Sequence, residues 1–559
     1  MAGRPEQSVH KAEDGQESLI PNPLRAWKGD LLFGLLISAI AFLVYANSMG
    51  NGFVWDDANV ITANPVLRGA ARSLFHTLDT AGGKNIPYYR PLTLLSFLIE
   101  ERLHGLMPIL MHLANILLHA ANAFLVYLLA QYLIKDHTAS LLAGLLFAVH
   151  PLNAESVNFI SGGRNTMLAC LFVLLAFLSH VKGLTLKTNS AVITGSVFFT
   201  AGLFSKETAV MLLPFIAALE FPNYRSSIPG AKLQAIGRLA PYAGGMGFYV
   251  VMRWMTLADH GIHMNILSGL GARLLDNLYI IPRYLLSVSV PTTLSARYVV
   301  PEGHLMPTVM LIVAWFCMIA MIGWMLSRGR SRATLFGIAW LTAFWLPVSG
   351  IIPFPSVPLA DRYLYLPAIG LWIIVADQAV RLFPTGPSAR RYGVIAIALA
   401  LLVLTMVTVR RNLEWNGNIA LFSKLVEQYP ESAYGHAGLG AAYLDRQDAS
   451  DLERAEQELT KALTLEPSLQ EVFVPLGHVR LIRGDFEGAL YFYSQALRKD
   501  PADTEARLNR GIALERLGRT KDAIADYQEF LALPDDTAMQ GSRQFAEEKV
   551  RELSRRTGI

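Results

Sequence analysis

Charged side chains are scarce in this sequence. Asp, Glu, Lys and Arg make up 16% of 559 residues, against about 25% in an average soluble chain. Cysteine is scarcer still: Cys170 and Cys317 are the only two, and both lie in apolar runs. A disulfide framework is therefore excluded. The formal net charge of +4 is small for this length and gives no footing for nucleic-acid binding. Residues 1–30 lack a short apolar stretch followed by a small-residue cleavage site, so the run from Leu31 reads as a retained helix. What replaces charge is apolar surface: 53% of residues are hydrophobic and the mean hydropathy is +0.35. The class is an all-α, multi-pass integral membrane protein.

A membrane helix needs about 20 mainly apolar residues. That rule places eleven candidate spans, at 31–48, 108–134, 138–151, 165–181, 189–204, 208–221, 239–257, 305–326, 333–350, 364–381 and 392–409. The piece at 271–290 carries Arg273, Asp276, Pro282 and Arg283 and reads as an interfacial helix. Lys135, Lys182, Lys187, Arg225, Lys232, Arg238, Arg328, Arg330, Arg332, Arg390 and Arg391 share loop parity with the N-terminal segment 1–30, which places that segment in the cytoplasm. Eleven crossings then put the tail on the far side, together with the loops at 49–107, 151–164, Ser205–Glu207, 258–304 and 351–363.

From about Trp415 the composition turns polar. Pro467 and Pro501, Gly477 and Gly511, Ala455 and Ala489, and Leu463 and Leu497 each recur at one fixed spacing, the period of the tetratricopeptide repeat. An earlier unit aligns Leu439-Gly440 with Leu476-Gly477, with extra residues around DASDLE. Three repeats follow, at 431–466, 468–500 and 502–534, then a charged terminal helix. The domains are thus a segment 1–30, a transmembrane domain 31–411 with an external loop 49–107, and a repeat domain 412–559 that binds a protein acceptor or partner.

Asp56 and Asp57 stand in the string GNGFVWDDAN, just past the first span. Adjacent aspartates in a loop are commonly a polar turn. A carboxylate can also take the proton of an attacking hydroxyl, while cations stabilise a phosphate leaving group. Further along come NIPYYRPLTLLSF, MHLANILLHAANAFLVYLL, LLFAVHPLNAESVNFISGGRNTMLACLFVLLAFL, FSKETAVMLLPF and DRYLYLPAIG. In this order, with the repeat tail, these strings resemble the transmembrane and TPR repeat-containing protein O-mannosyltransferases, within the GT-C glycosyltransferase superfamily. The resemblance implies a GT-C-like membrane fold, a polyprenyl-phosphate sugar donor, mannose as the sugar, and protein Ser or Thr hydroxyls as acceptors. It nominates Asp56 as base and Asp57 as its neighbour. The family's GRAD-like string is GGRN here, Gly162–Asn165, without the acidic residue, and the array is short beside animal members. Both departures point to a prokaryotic relative in a bacterial or archaeal plasma membrane, or the endoplasmic reticulum membrane in a eukaryote.

The remaining candidates for the donor phosphate or its cavity are Arg90, His112, Glu155, Arg164, Lys206, Glu207 and Arg362. Each also has a bland reading. His112, Asn115, His119 and Asn122 share one helical face, and such a stripe glues membrane helices together; His112, nearest the outer end, could touch phosphate. Glu155 and Arg164 flank a proline-broken helix end, as an exposed ion pair or as the cavity rim. Lys206-Glu207 could be a snorkelling pair. Arg90 and Arg362 each neighbour tyrosines, as interface anchors or as planar forks for phosphate. No spacing marks a metal site, and the lipid-linked sugar would be substrate rather than cofactor. Two alternatives stay open: a transferase acting on lipid or surface glycan, and a non-catalytic membrane scaffold recruiting partners through its repeats.

Overall fold

The computed structural model describes residues 27–64, 67, 88–225, 228–258, 270–299, 331–351, 359–382, 386–448, 450–533 and 540–557, with a few isolated positions between 312 and 323. The membrane part is built from helices α1 (Trp27–Tyr45), α2 (Pro91–His104), α3 (Pro108–Ile134), α4 (His137–Val149), α5 (Ala154–Asn158), α6 (Ile160–Leu186), α7 (Asn189–Ser205), α8 (Leu212–Tyr224), α9 (Ala231–Ala258), α10 (Leu270–Ser289), α11 (Arg332–Trp345), α12 (Ala368–Leu382) and α13 (Pro387–Asn412). The tail is α14 (Asn418–Gln428), α15 (Ala433–Asp445), α16 (Asp451–Leu465), α17 (Phe473–Ile482), α18 (Phe486–Lys499), α19 (Thr504–Arg516), α20 (Thr520–Ala532) and α21 (Gln540–Thr557).

The helix boundaries refine the sequence reading. Four stretches among the described residues are long and apolar enough to cross a membrane: Gly29–Gly50, Pro108–Ile134, Ile160–Leu186 and Pro387–Trp415. A fifth is a pair, His137–Val149 and Pro151–Asn158, bent by 46°. The break follows from Pro151, which lacks an N–H for the helix ladder. The expected loop at 151–164 is therefore helix, and α6 begins at Ile160. Asn189–Ser205 and Arg332–Val348 are shorter apolar helices. The expected span at 208–221 opens as a 3-10 turn, Glu207–Met211, and continues as α8 with Pro222 inside it. Most of the expected span at 305–326 lies outside the described residues. Helix α10 is inside-out: Leu274, Leu275 and Leu278 are exposed while Asn277, Arg283 and Ser287 are buried. An apolar outer face of this kind belongs against lipid, and α13 presents the same with Leu399, Leu402 and Met406.

The polar stripe of α3 is glue. Asn115 donates to the Val157 carbonyl at 3.1 Å and Asn122 to the Met167 carbonyl at 3.0 Å. His119 lies 2.8 Å from the Tyr365 hydroxyl and 3.1 Å from the Ala148 carbonyl oxygen. These side chains join α3 to α5, α6 and the turn before α12, as polar groups do between membrane helices.

One end of the bundle gathers the C-terminal ends of α1, α4, α7, α11 and α13 with the N-terminal ends of α3, α6, α8 and α12. The opposite end carries Lys135, Lys182, Lys187, Arg225 and Lys232.

In the tail, three helix pairs stack, and the closing helix α21 packs on the last. The repeat period has a steric cause. A Cβ on Gly477 would come within 2.4 Å of the Tyr493 ring, and one on Gly511 within 2.7 Å of the Tyr527 ring. Helices of a pair approach that closely only where a side chain is missing. Gly484 and Gly518 turn one helix into the next with φ of +77° and +73°; in the first pair Gln447, with φ +55°, takes that place beside the extra residues. The tail docks on the gathered end. Trp415 is buried and Gln428 donates to the Leu294 carbonyl at 2.8 Å.

Candidate active site

At the gathered end lies a small cavity open to solvent, lined by Asp56, Tyr88, Arg90, Phe159, Gly162, Asn165, Lys206, Glu207, Thr208, Pro347, Val348, Arg362 and Tyr363. The bundle thus draws five of the nine nominated residues to one wall, from segments more than three hundred positions apart. A smaller space shares Lys206, Arg362 and Tyr363 and adds Phe344, Leu366 and Pro367.

The two aspartates divide. Asp56 is half-buried and lines the cavity. Asp57 is fully buried and does not line it: its Oδ1 accepts from the Ser161 N–H at 2.8 Å and its Oδ2 from the Val54 N–H at 3.1 Å. Asp57 therefore ties the loop to the first turn of α6, whose free N–H groups attract a carboxylate. Burial pushes its pKa up to about 6, against the pull of those hydrogen bonds, and the Asp56 charge adds a small rise. Asp57 thus stands behind the wall that Asp56 lines, bonded to backbone on both sides.

The cations are held by carboxylates. Arg90 grips Glu207 by two bonds, 3.1 and 2.7 Å, and lies 3.9 Å over the Tyr88 ring. Burial raises the Glu207 pKa, but the Arg90 charge and hydrogen bond, with help from Lys206, outweigh it and hold it near 2. Arg362 pairs with the fully buried Glu155, which also accepts from the Arg362 backbone N–H at 3.0 Å. Lys206 donates to the Thr166 hydroxyl at 2.7 Å. Burial, then the neighbouring Arg90 charge, lowers its pKa to about 7.

Three other nominated residues stand behind the wall. Glu155 is one step back, beneath Arg362. Arg164 is buried and pairs with Glu100 at 2.8 Å, not with Glu155, while also reaching Asn115 and the Met111 carbonyl. The expected exposed Glu155–Arg164 pair is absent because α5 turns Glu155 toward the Asp361–Leu364 turn. His112 is buried with Nε2 3.4 Å from the Gly52 carbonyl oxygen, so it faces the loop backbone rather than the cavity. The reading missed Tyr88, Phe159, Asn165, Thr208 and Tyr363. Asn165, Thr208 and Tyr363 adjoin nominated residues and could have been found from that; Tyr88 and Phe159 carry no signal without the fold. Among the described residues no group of three or more His, Cys, Asp or Glu side chains converges as metal ligands do.

Fold and site together define a polytopic helical membrane protein with a cation-lined cavity at one end and a docked TPR tail. A TPR repeat family model matches residues 477–518. Over most of its length the chain is related to proteins named protein O-mannosyl-transferase. It is 24% identical to human TMTC3 over 534 residues, 88% of this chain and 54% of that protein. It is 25% identical to F38B6.6 of Caenorhabditis elegans over 455 residues, 78% of this chain and 63% of that one. A shorter match to Drosophila melanogaster Tmtc1 is 35% identical over 182 residues, 32% of this chain and 21% of that protein. The chain spans little more than half the length of the first of these relatives. Among solved structures, the apo oligosaccharyltransferase of Archaeoglobus fulgidus aligns with a TM-score of 0.37 at 14% identity, over 74% of this chain and 60% of that one.

Proposed function

We propose that this protein is a GT-C-like membrane glycosyltransferase that moves mannose from a polyprenyl phosphate to Ser or Thr hydroxyls of protein on the non-cytoplasmic side. The observation that carries the reading is the Asp56 carboxylate sharing a cavity wall with Arg90, Lys206 and Arg362, while Glu207 on the same wall is engaged by Arg90. The relatives' names supply the sugar and the acceptor class.

In the reaction, Asp56 takes the proton of the acceptor hydroxyl as its oxygen attacks the anomeric carbon. The bond from that carbon to the phosphate oxygen breaks, and the polyprenyl phosphate leaves with the electron pair. Charge grows on the leaving oxygen, where preset cations stabilise it most. Arg90 and Arg362 stay charged at all working pH and are anchored by Glu207 and Glu155, so neither has to reorganise. Lys206 is the movable charge among them.

The lysines and arginines collected at the opposite end support the sidedness, because cytoplasmic loops carry the excess of Lys and Arg. On that rule the cavity and the tail both face away from the cytoplasm.

The test uses purified full-length protein in lipid vesicles, polyprenyl-phosphate mannose and a Ser/Thr peptide, with the hexose addition read by mass. Wild-type protein should transfer. Asp56→Asn should lose roughly 10²–10⁴-fold in turnover, the usual worth of a general base, with donor binding kept. No transfer by the wild type, or near-normal transfer by folded Asp56→Asn, overturns the reading.

A further inference from the structure

Trp55 stands beside the proposed base in a conformation that L side chains rarely adopt, with φ +55°. A bulky residue stays in this region only where its surroundings hold it. Two of the holding groups come from the tail. The Trp55 backbone N–H donates to Asn418 Oδ1 at 2.8 Å, and its indole N–H to the Tyr434 hydroxyl at 2.7 Å. Asn418 opens α14 and Tyr434 lies in the first turn of α15. The Trp55 ring stacks on Phe159, centroids 5.5 Å apart, and Phe159 lines the cavity beneath Arg362.

On its other side the loop is fixed by Asp57 on α6. Asp56 is the residue between the two anchors. Had the tail been only an acceptor-binding arm, its first helices would have no reason to grip the loop that carries the base.

We infer that the tail's first two helices are part of the catalytic device: Asn418 and Tyr434, acting through Trp55, are positioning residues that aim Asp56 into the cavity. The inference rests on the functional reading above. Small displacements of a reacting group matter greatly, since a shift of about 1 Å can cost around a hundredfold in rate.

The experiment compares wild type, Asn418→Ala, Asn418→Asp and Tyr434→Phe as full-length protein in vesicles. A short Ser/Thr peptide serves as acceptor, so that capture by the distal repeats does not enter. Three quantities are read: backbone amide exchange of the peptide covering residues 50–62, and kcat and KM for polyprenyl-phosphate mannose. Asn418→Ala and Tyr434→Phe should exchange faster in that segment. Each should lose about tenfold in kcat with the donor KM unchanged. Asn418→Asp keeps an oxygen for the Trp55 N–H and should recover most of the rate. Unchanged exchange in both variants overturns the clamp. Faster exchange with wild-type kcat overturns its catalytic role. A wild type that transfers nothing removes the functional reading itself, whatever the exchange shows.

Discussion

Lys206 is a cavity residue whose charge changes near physiological pH. Burial favours its neutral amine, and Arg90 and Arg362 add to that, while Glu207 and Glu155 oppose it; the balance is near pH 7. A lowered lysine pKa means the cation is present below that value and lost above it. Donor KM should therefore rise as pH climbs from 6.5 to 8.5, approaching tenfold per unit at the upper end. Lys206→Arg should flatten the dependence, because a guanidinium stays charged. A wild-type donor KM constant across that range would remove Lys206 from phosphate binding. Arg362 needs a different substitution from the obvious one. Arg362→Ala strands Glu155, fully buried, without its cation, and losing one partner of a buried pair costs about 3–5 kcal/mol. Arg362→Lys keeps the charge and drops the fork. It should retain folding and raise the donor Kd several-fold in a binding assay.

At the scale of elements, the start of α6 leaves no room for a side chain where it meets α5. A Cβ on Gly163 would fall 1.8 Å from the Ser156 carbonyl oxygen, which is backbone and cannot swing aside. Gly163→Ala should therefore displace α6 from α5 and cost more than the 1–3 kcal/mol typical of overpacking. The check is folded yield and thermal midpoint in detergent beside Gly162→Ala, whose Cβ would meet only the Phe159 ring. Equal midpoints for the two variants would mean that the α5–α6 approach is looser than drawn. Gly163 also sets the place of Ser161, whose N–H holds Asp57. The second glycine of GGRN is thus tied to the acidic pair a hundred residues earlier.

For the whole molecule the question is where the tail begins to act. Repeat arrays are sums of local stacks and tolerate removal of whole units. Truncation after Glu466 leaves α14 to α16 and with them Asn418 and Tyr434. Truncation after Glu414 removes Trp415, Asn416, Asn418 and Tyr434, so it opens the Phe159 stack and frees the loop. The longer form should keep turnover on a short peptide and lose most of it on a folded protein acceptor. The shorter form should lose both. If the Glu414 form matches the longer one on the short peptide, the tail serves acceptor capture alone.

By itself the sequence determined the class, the repeat array and most of the cavity's charges. Apolar runs and a fixed repeat spacing are local quantities, and in a chain so poor in charge each ionised side chain near a span stands out. That is why Arg90, Lys206, Glu207 and Arg362 were legible, while Asp56 was marked out from a plain turn by the family resemblance. Only the tertiary structure decided how these charges pair. Arg90 meets Glu207, Arg362 meets Glu155 and Arg164 meets Glu100 across different helices, and nothing in linear spacing prefers one pairing over another. It also decided between two adjacent aspartates that composition cannot tell apart. Asp57 is turned inward to the N-terminus of α6, and Asp56 is left to the cavity, because Trp55 is held in a left-handed turn by a helix more than 360 residues further along the chain. The segment boundaries moved for a related reason. Length and hydropathy measure a helix alone, whereas the break at Pro151 and the inside-out α10 are set by what each segment packs against.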